Sequence, residues 1–128
     1  MAQLFQVWEP RSGYVYVIAE KTSAGGFTGY YKVGKTQNLE ARITELQTGN
    51  PHKLEYVEKM PVDDMDAAER SAHDIVRGNY KSNVSGGREW YYAPGRDQSE
   101  AFLFKIKIKV TNNFIKKYQG PVMSLVND

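Results

Sequence analysis

The sequence predicts an α+β fold in which helices flank a small three-stranded antiparallel sheet. Residues 14–19 and 30–35 are aromatic and β-branched runs, which are typical of strands. The glycines between them permit the positive φ angles that a tight hairpin turn needs. A third run, residues 54–60, alternates apolar with charged residues, as a half-buried strand does. These three runs predict the sheet.

Capping signals predict two helices that pack beside this sheet. Asn38 is a favourable N-cap for a helix over residues 39–46. Asp63 or Asp64 caps a second helix that runs to about residue 77. A glycine follows each helix closely, and glycine is the residue that most often ends a helix.

The remaining segments are read from their turn formers and their apolar periodicity. Residues 81–88 are rich in turn formers and predict a loop, and residues 89–92 form a short aromatic segment that resembles an edge strand. Residues 97–118 allow two interpretations. Apolar residues and lysines alternate over residues 102–110, which favours a strand, but Leu103, Ile106 and Val110 also form a helical stripe.

Length and composition limit the class of protein. The chain has 128 residues, so we expect one domain over residues 1–128. Its net charge of +2 does not by itself indicate a nucleic-acid partner. The absence of cysteine excludes disulfides and thiolate metal sites. No apolar run approaches membrane-spanning length, which predicts no membrane partner and a cytoplasmic location, inside the host cell if the chain is viral.

An ordered set of motifs runs through the chain. The triplet YVY occupies residues 14–16, the triplet KVG occupies residues 32–34, and Arg42 lies seven residues after Lys35. Glu69 lies in the second predicted helix, and EWY occupies residues 89–91. In this order the motifs resemble the GIY-YIG nuclease superfamily. They are most similar to its phage-encoded, open-reading-frame-172-like branch, described as DNA-binding or nuclease domains.

The resemblance covers about residues 13–92, which it identifies as the core, with residues 97–118 as an extension. It favours a helix over residues 99–118. It implies a catalytic site that gathers five residues in one cleft, with Glu69 facing the strands: Tyr16, Lys32, Lys35, Arg42 and Glu69.

The resemblance also assigns roles to these residues. Lys35 and Arg42 are the expected nucleic-acid-binding residues, because an arginine fork and a lysine ammonium both bind phosphate. Glu69 is the expected metal ligand, and one carboxylate with water and phosphate suits Mg²⁺ or Mn²⁺. Tyr16 would position water or accept its proton. A phenol needs nearby cations for that role, since its usual pKa is about 10.

The second triplet departs from the family pattern. It opens with Lys32, where the family usually has tyrosine, and Tyr31 stands beside it. Neighbouring strand residues point to opposite faces, so Tyr31 does not simply replace the missing tyrosine. Further candidate site residues are Tyr31 itself, His73 on the face of Glu69, and Glu89. A lone helical histidine is more often structural than catalytic.

The sequence thus predicts a metal-dependent DNA endonuclease that hydrolyses phosphodiester bonds. The alternative is a DNA-binding module of the same fold that cuts weakly or not at all, which the lysine in the second triplet favours. DNA is the expected partner in both cases. A homodimer or a partner protein would add the sequence specificity that one small domain lacks.

Overall fold

The structure of this protein is a computed structural model that describes residues 10–85 and 88–114, and the side chains of residues 83–85, 88 and 89 lie outside that description. Five strands and three helices lie within those ranges. In chain order they are β1 (Gly13–Lys21), β2 (Phe27–Thr36), α1 (Leu39–Gln47), β3 (Lys53–Val62), α2 (Met65–Val76), β4 (Lys81–Ser85), β5 (Arg88–Tyr92) and α3 (Gly95–Asn113).

The strands form one sheet in the order β3-β1-β2-β5-β4, and neighbouring strands are antiparallel. The α+β class and the pairing of the first two strands are confirmed, but the predicted three-stranded sheet is an undercount. Residues 81–85, predicted as part of a loop, form β4. The predicted edge strand at residues 89–92 is interior, between β2 and β4. Turn-forming residues obscured β4, because its conformation depends on pairing with β5.

Side chains that alternate along β1 divide the core between the two faces of the sheet. Val15 and Val17 pack with α2 and α3 in the larger cluster. Tyr16 and Ile18 lie on the other face, where Leu46 of α1 covers them in a smaller cluster. The sheet is therefore sandwiched, with a thick apolar layer on one side and a thin one on the other.

The first two helices begin where their caps predict. The Asn38 side chain accepts a hydrogen bond of 3.0 Å from the backbone N–H of Ala41, and Asp64 accepts one of 3.1 Å from Ala67. Each bond satisfies a donor that the first helical turn leaves without an intrahelical partner. The caps determine where α1 and α2 leave the sheet, and so where Arg42 and Glu69 lie.

The segment after Pro94 is a helix, which decides between the two sequence interpretations. Phe102, Ile106 and Val110 are fully buried at intervals of four residues, and they pack in the larger cluster with α2. Phe104 and Ile108, which the strand pattern would have buried with them, are exposed. The helix begins earlier than predicted, at Gly95, and the predicted residues 115–118 lie outside the described chain.

Within the described ranges, every helix is too short or too polar to cross a membrane.

The packing of α3 predicts unequal effects for two phenylalanines two residues apart. Replacing buried Phe102 with alanine should reduce the free energy of unfolding by about 3–5 kcal/mol, because it removes a filled core volume. The control is Phe104→Ala, since that side chain is 64% exposed and should change stability by only about 0.5 kcal/mol. Urea unfolding measures both, and equal losses would contradict the helical packing.

Candidate active site

Arg42 and Tyr16 form a contact on the α1 face of the sheet. The Nε atom of Arg42 donates a hydrogen bond of 3.1 Å to the Tyr16 hydroxyl, and the Arg42 Nη1 atom lies 3.3 Å from a Glu45 carboxylate oxygen. Tyr16 is fully buried. Tyr16 of β1 pairs with Gly34 of β2, and the Tyr16 hydroxyl lies over that glycine. A Cβ atom at position 34 would collide with the hydroxyl. The glycine of the second triplet therefore makes room for the tyrosine of the first.

The electrostatics of this contact favour a permanently charged arginine. The hydrogen bond to Tyr16 is the main cause of a raised pKa for Arg42. Burial, with a smaller contribution from Tyr16, raises the pKa of the neighbouring Tyr56 to about 12. Tyr56 is therefore neutral near pH 7, and its hydroxyl donates a 2.7 Å hydrogen bond to the Leu39 carbonyl. A buried Tyr16 orients Arg42 and has no direct access to bulk water.

Lys35 lies between two carboxylates on the α2 face. Its ammonium is 2.7 Å from Asp66 Oδ1 and 3.5 Å from Glu69 Oε1. Arg11 also binds Asp66 through two nitrogens, at 3.1 and 2.7 Å. The hydrogen bonds from Arg11 and then Lys35 hold the pKa of the Asp66 carboxyl well below its usual range. Asp66 thus remains ionised and holds Lys35 beside Glu69.

Glu69 continues this network toward the core through His73. Glu69 Oε2 lies 3.6 Å from His73 Nε2, and His73 Nδ1 lies 2.6 Å from the hydroxyl of the buried Tyr91. Burial raises the pKa of Glu69, but His73 and Lys35 lower it more, and the net shift is downward. The Glu69 carboxylate is therefore ionised at neutral pH, as a metal ligand must be.

A pocket of about 370 Å³ opens at this network. Among the described side chains, no group of three or more histidines, cysteines, aspartates or glutamates is arranged to hold a metal ion. A metal here would therefore rely on few protein ligands and on water or substrate oxygens. The pocket has a mixed charge, with lining residues Lys35, Asp66, Glu69, Arg70, His73 and Arg77.

The contacts divide the five predicted site residues into two groups on opposite faces of β2. Arg42 meets Tyr16 over Gly34 on the α1 face, whereas Lys35, the next residue, meets Glu69 on the α2 face. The predicted single cleft therefore takes the form of two clusters. As expected, Glu69 faces β2. The alternation of side chains along a strand already indicates that residues 32 and 35 lie on opposite faces, but the partners that meet each face depend on the tertiary structure.

Lys32 and Tyr31 also lie on opposite faces, as their adjacent positions predict. Lys32 is buried on the α1 face, opposite Ile18 of β1 and Trp90 of β5. Tyr31 packs in the larger core cluster and stacks on Phe102, with ring centroids 5.4 Å apart. Tyr31 is therefore a core residue, remote from the Tyr16 hydroxyl by the thickness of the sheet.

The candidate Glu89 lies in β5, next to Trp90 in sequence, and its backbone pairs with Val84 of β4. Its side chain lies outside the described part of the chain. The proposed role of Glu89 in the site stays a prediction.

Sequence reasoning missed Asp66 and Tyr91 as members of the network. Asp66, Glu69 and His73 follow the spacing i, i+3, i+7, which places them on one helical face, so the aspartate was recognisable. Tyr91 was hidden in a strand whose pairing partner was unknown. Its contact with His73 exists only because β5 lies beside β2 and beneath α2.

The chain was compared with known families, curated proteins and solved structures. A family model described as the T5orf172 domain matches residues 13–116. No curated protein and no solved structure matches the chain.

The lowered pKa of Asp66 predicts a pH-dependent contribution to stability. A carboxyl with a lower pKa in the folded state stabilises the fold above its unfolded pKa of about 4, and this contribution disappears as pH falls through the folded pKa. Asp66→Asn should therefore lower the urea midpoint at pH 7, and the gap to the wild type should narrow steadily below about pH 4.

Asp74→Asn is the matched control on α2, because Asp74 is exposed and has a long contact of 3.4 Å with Arg77. It should change the midpoint little at either pH. An Asp66→Asn gap that is equally large at pH 3 and pH 7 would show that the ion pairs do not cause it.

Proposed function

Because the chain belongs to the T5orf172 domain family, which is associated with DNA binding and nuclease function, we propose that it is a metal-dependent DNA endonuclease with a GIY-YIG-type site. The observation that carries this proposal is the arrangement at the end of β2. On one face of the strand, Arg42 is oriented by Tyr16 over Gly34. On the other face, the next residue, Lys35, pairs with the Glu69 carboxylate.

An open strand edge brings the two clusters within reach of one DNA backbone. In the described residues, β5 pairs with β2 only at Tyr30, Tyr31 and Lys32. Beyond Lys32, β2 stays paired with β1 on one side, and among the described residues no strand pairs with its other edge at Gly34 and Lys35. A phosphate at this edge would be approached by Arg42 from one face and Lys35 from the other.

Charge neutralisation at phosphorus is the main task of these two cations. Arg42 presents a planar fork whose Nε atom is already held by Tyr16, so less side-chain entropy is lost when it binds phosphate. Lys35 contributes a point charge that Asp66 keeps in place. Tyr16 acts here as a positioning residue, because its buried hydroxyl binds Arg42.

Glu69 would hold the metal. Its carboxylate is ionised, lines the pocket and touches Lys35, so its chemistry fits a hard divalent cation that keeps much of its water. When bound, Mg²⁺ or Mn²⁺ would stabilise the negative charge that develops on the phosphate and the leaving oxygen. His73 would hold the second carboxylate oxygen in place, since Tyr91 fixes its ring.

One observation favours the second candidate, a DNA-binding module that cuts weakly or not at all. The Lys35 ammonium already lies between the carboxylates of Asp66 and Glu69, where a divalent cation would be attracted. Like charges repel, so metal binding at Glu69 would require Lys35 to turn toward the phosphate. In a module without catalysis, this network would only orient Lys35 for DNA.

Cleavage of supercoiled plasmid distinguishes the two candidates. With Mg²⁺ or Mn²⁺, the wild type should convert supercoiled plasmid to the open circle, and a chelator should stop the reaction. Glu69→Ala should reduce the rate by about a hundredfold or more, since weaker outer-shell changes already cost about 10–100-fold. It should preserve or strengthen DNA binding, because a negative charge near the phosphate is removed.

Glu100→Gln on α3 is the control, because its carboxylate pairs with Arg96 in solvent, and it should cut like the wild type. Unchanged cleavage by Glu69→Ala would assign the activity to another protein in the sample. Binding without cleavage in either metal would establish the DNA-binding module.

Salt dependence tests the two cations directly. Duplex affinity should fall as salt rises, because phosphate contacts release counterions. Lys35→Ala and Arg42→Ala should each weaken binding to all sequences alike and reduce the salt slope by about one. Arg96→Ala is the control, since Arg96 is an exposed arginine on α3. A slope that neither site substitution changes would contradict the proposed phosphate contacts.

A further inference from the structure

Three aromatic side chains share the α1 face of the sheet across β2 and β5. Tyr30 pairs with Tyr92, and Trp90 is two residues from Tyr92 on the same strand and face. The rings of Tyr30 and Tyr92 are tilted by 36°, with centroids 4.7 Å apart, yet the two residues are 36% and 37% exposed. We call Tyr30, Trp90 and Tyr92 the aromatic platform.

The platform is open because α1 covers a different part of this face. The apolar side of α1 packs on β1 and β3, through residues such as Leu46 and Leu54. Trp90 packs at the margin of this smaller core cluster, whereas Tyr30 and Tyr92 are exposed and are not among its members. The contact between the Tyr30 and Tyr92 rings is an ordinary cross-strand pair that stabilises the sheet. It does not explain why a third of each remains in solvent rather than beneath a helix.

One exposed lysine borders the platform, and Arg42 lies further along the same face. Lys81 of β4 is exposed and pairs in register with Tyr92, so the row across the strands is Tyr30, Tyr92, Lys81. Toward the proposed site, Lys32 pairs with Trp90, and Gly34 lies two residues further along β2, about 7 Å at the rise of a strand. Arg42 meets Tyr16 over that glycine. We call Arg42 and Tyr16 the arginine cluster, and the platform is continuous with it on this face.

A cleft of about 220 Å³ lies at the platform and has polar groups beside its aromatic walls. It is lined by Tyr30, Trp90, Glu20 and Asn50. The side-chain Oδ1 atom of Asn50 accepts from the His52 backbone N–H, so the side-chain amide N–H groups point away from that bond and can donate to a ligand. The Glu20 carboxylate accepts from the Thr28 hydroxyl and has further acceptor capacity. A carboxylate here disfavours a phosphate and suits the amino group of a nucleobase.

We propose that the aromatic platform binds unpaired bases of a DNA strand whose phosphates lie on the arginine cluster. This inference rests on the proposed function and names its substrate class, DNA with a single-stranded or unpaired segment. Aromatic rings stack on any base, because every base has a π face, and exposed cations such as Lys81 attract the phosphate backbone. The faces of paired bases are stacked on one another inside a duplex, so an exposed aromatic surface selects strands that have opened.

Competition between single-stranded and duplex oligonucleotides of one sequence tests the proposal. The wild type should bind the single strand, or a duplex with a bulge, more tightly than the perfect duplex. Tyr30→Ala combined with Tyr92→Ala should weaken single-strand binding by about tenfold or more, which corresponds to the loss of one stacked base. Affinity for the perfect duplex should not change. Tyr30→Phe with Tyr92→Phe should retain single-strand binding, since the rings remain.

Phe104→Ala is the control, because it removes an exposed ring from α3 on the other side of the sheet, and it should change nothing. A second measurement needs no substitution: an oligonucleotide with one 2-aminopurine should lose fluorescence on binding the wild type, as that base stacks on a ring. If the double alanine substitution weakened single-strand and duplex binding equally, or if bound 2-aminopurine stayed bright, the base-binding role of the platform would be overturned. Binding of the wild type to duplex DNA would in that case still support the proposed function. Absence of binding to any DNA would overturn both.

Discussion

The alternation of side chains along β2 is the constraint on which the rest of this structure depends. Odd-numbered residues of the strand point to α2 and α3, where Tyr31 and Val33 are in the core and Lys35 meets α2. Even-numbered residues point to α1, where Gly34 lies beneath the Tyr16 hydroxyl. A one-residue slip of β2 would expose its apolar side chains and bury Lys35, so the register is strongly specified. The same register separates the arginine from the glutamate.

Charge balance stabilises the glutamate side of this arrangement. The network alternates in sign from Arg11 to Asp66, Lys35 and Glu69, so each of these four charged groups contacts a group of opposite charge. These groups are partly exposed, and their contribution to stability is therefore modest compared with the apolar core. Their effect is mainly on geometry, because two carboxylates from one helical face hold a lysine from the neighbouring strand.

The arginine side relies on burial. Tyr16 has no exposed surface, and its ring packs against Tyr56 in an edge-on contact with centroids 5.3 Å apart. A rigid buried phenol is a precise hydrogen-bond acceptor for Arg42, since both packing and the absence of a Cβ at Gly34 define its position. The triplets YVY and KVG are thus parts of one packing unit, which explains why glycine is needed at the end of the second.

The sequence by itself determined the elements whose signals are local. The hairpin, the caps at Asn38 and Asp64, and the face shared by Glu69 and His73 follow from turn chemistry and from the helical period. The motif order also indicated the family that residues 13–116 match.

Only the tertiary structure decided what depends on pairing between distant segments. It added β4 to the sheet, placed β5 in the interior, chose a helix for residues 95–113, and determined which side chains meet each face of β2. The physical reason is that strand pairing joins segments far apart in the chain. Residue 32 finds its partner at 90, and no local preference encodes that contact.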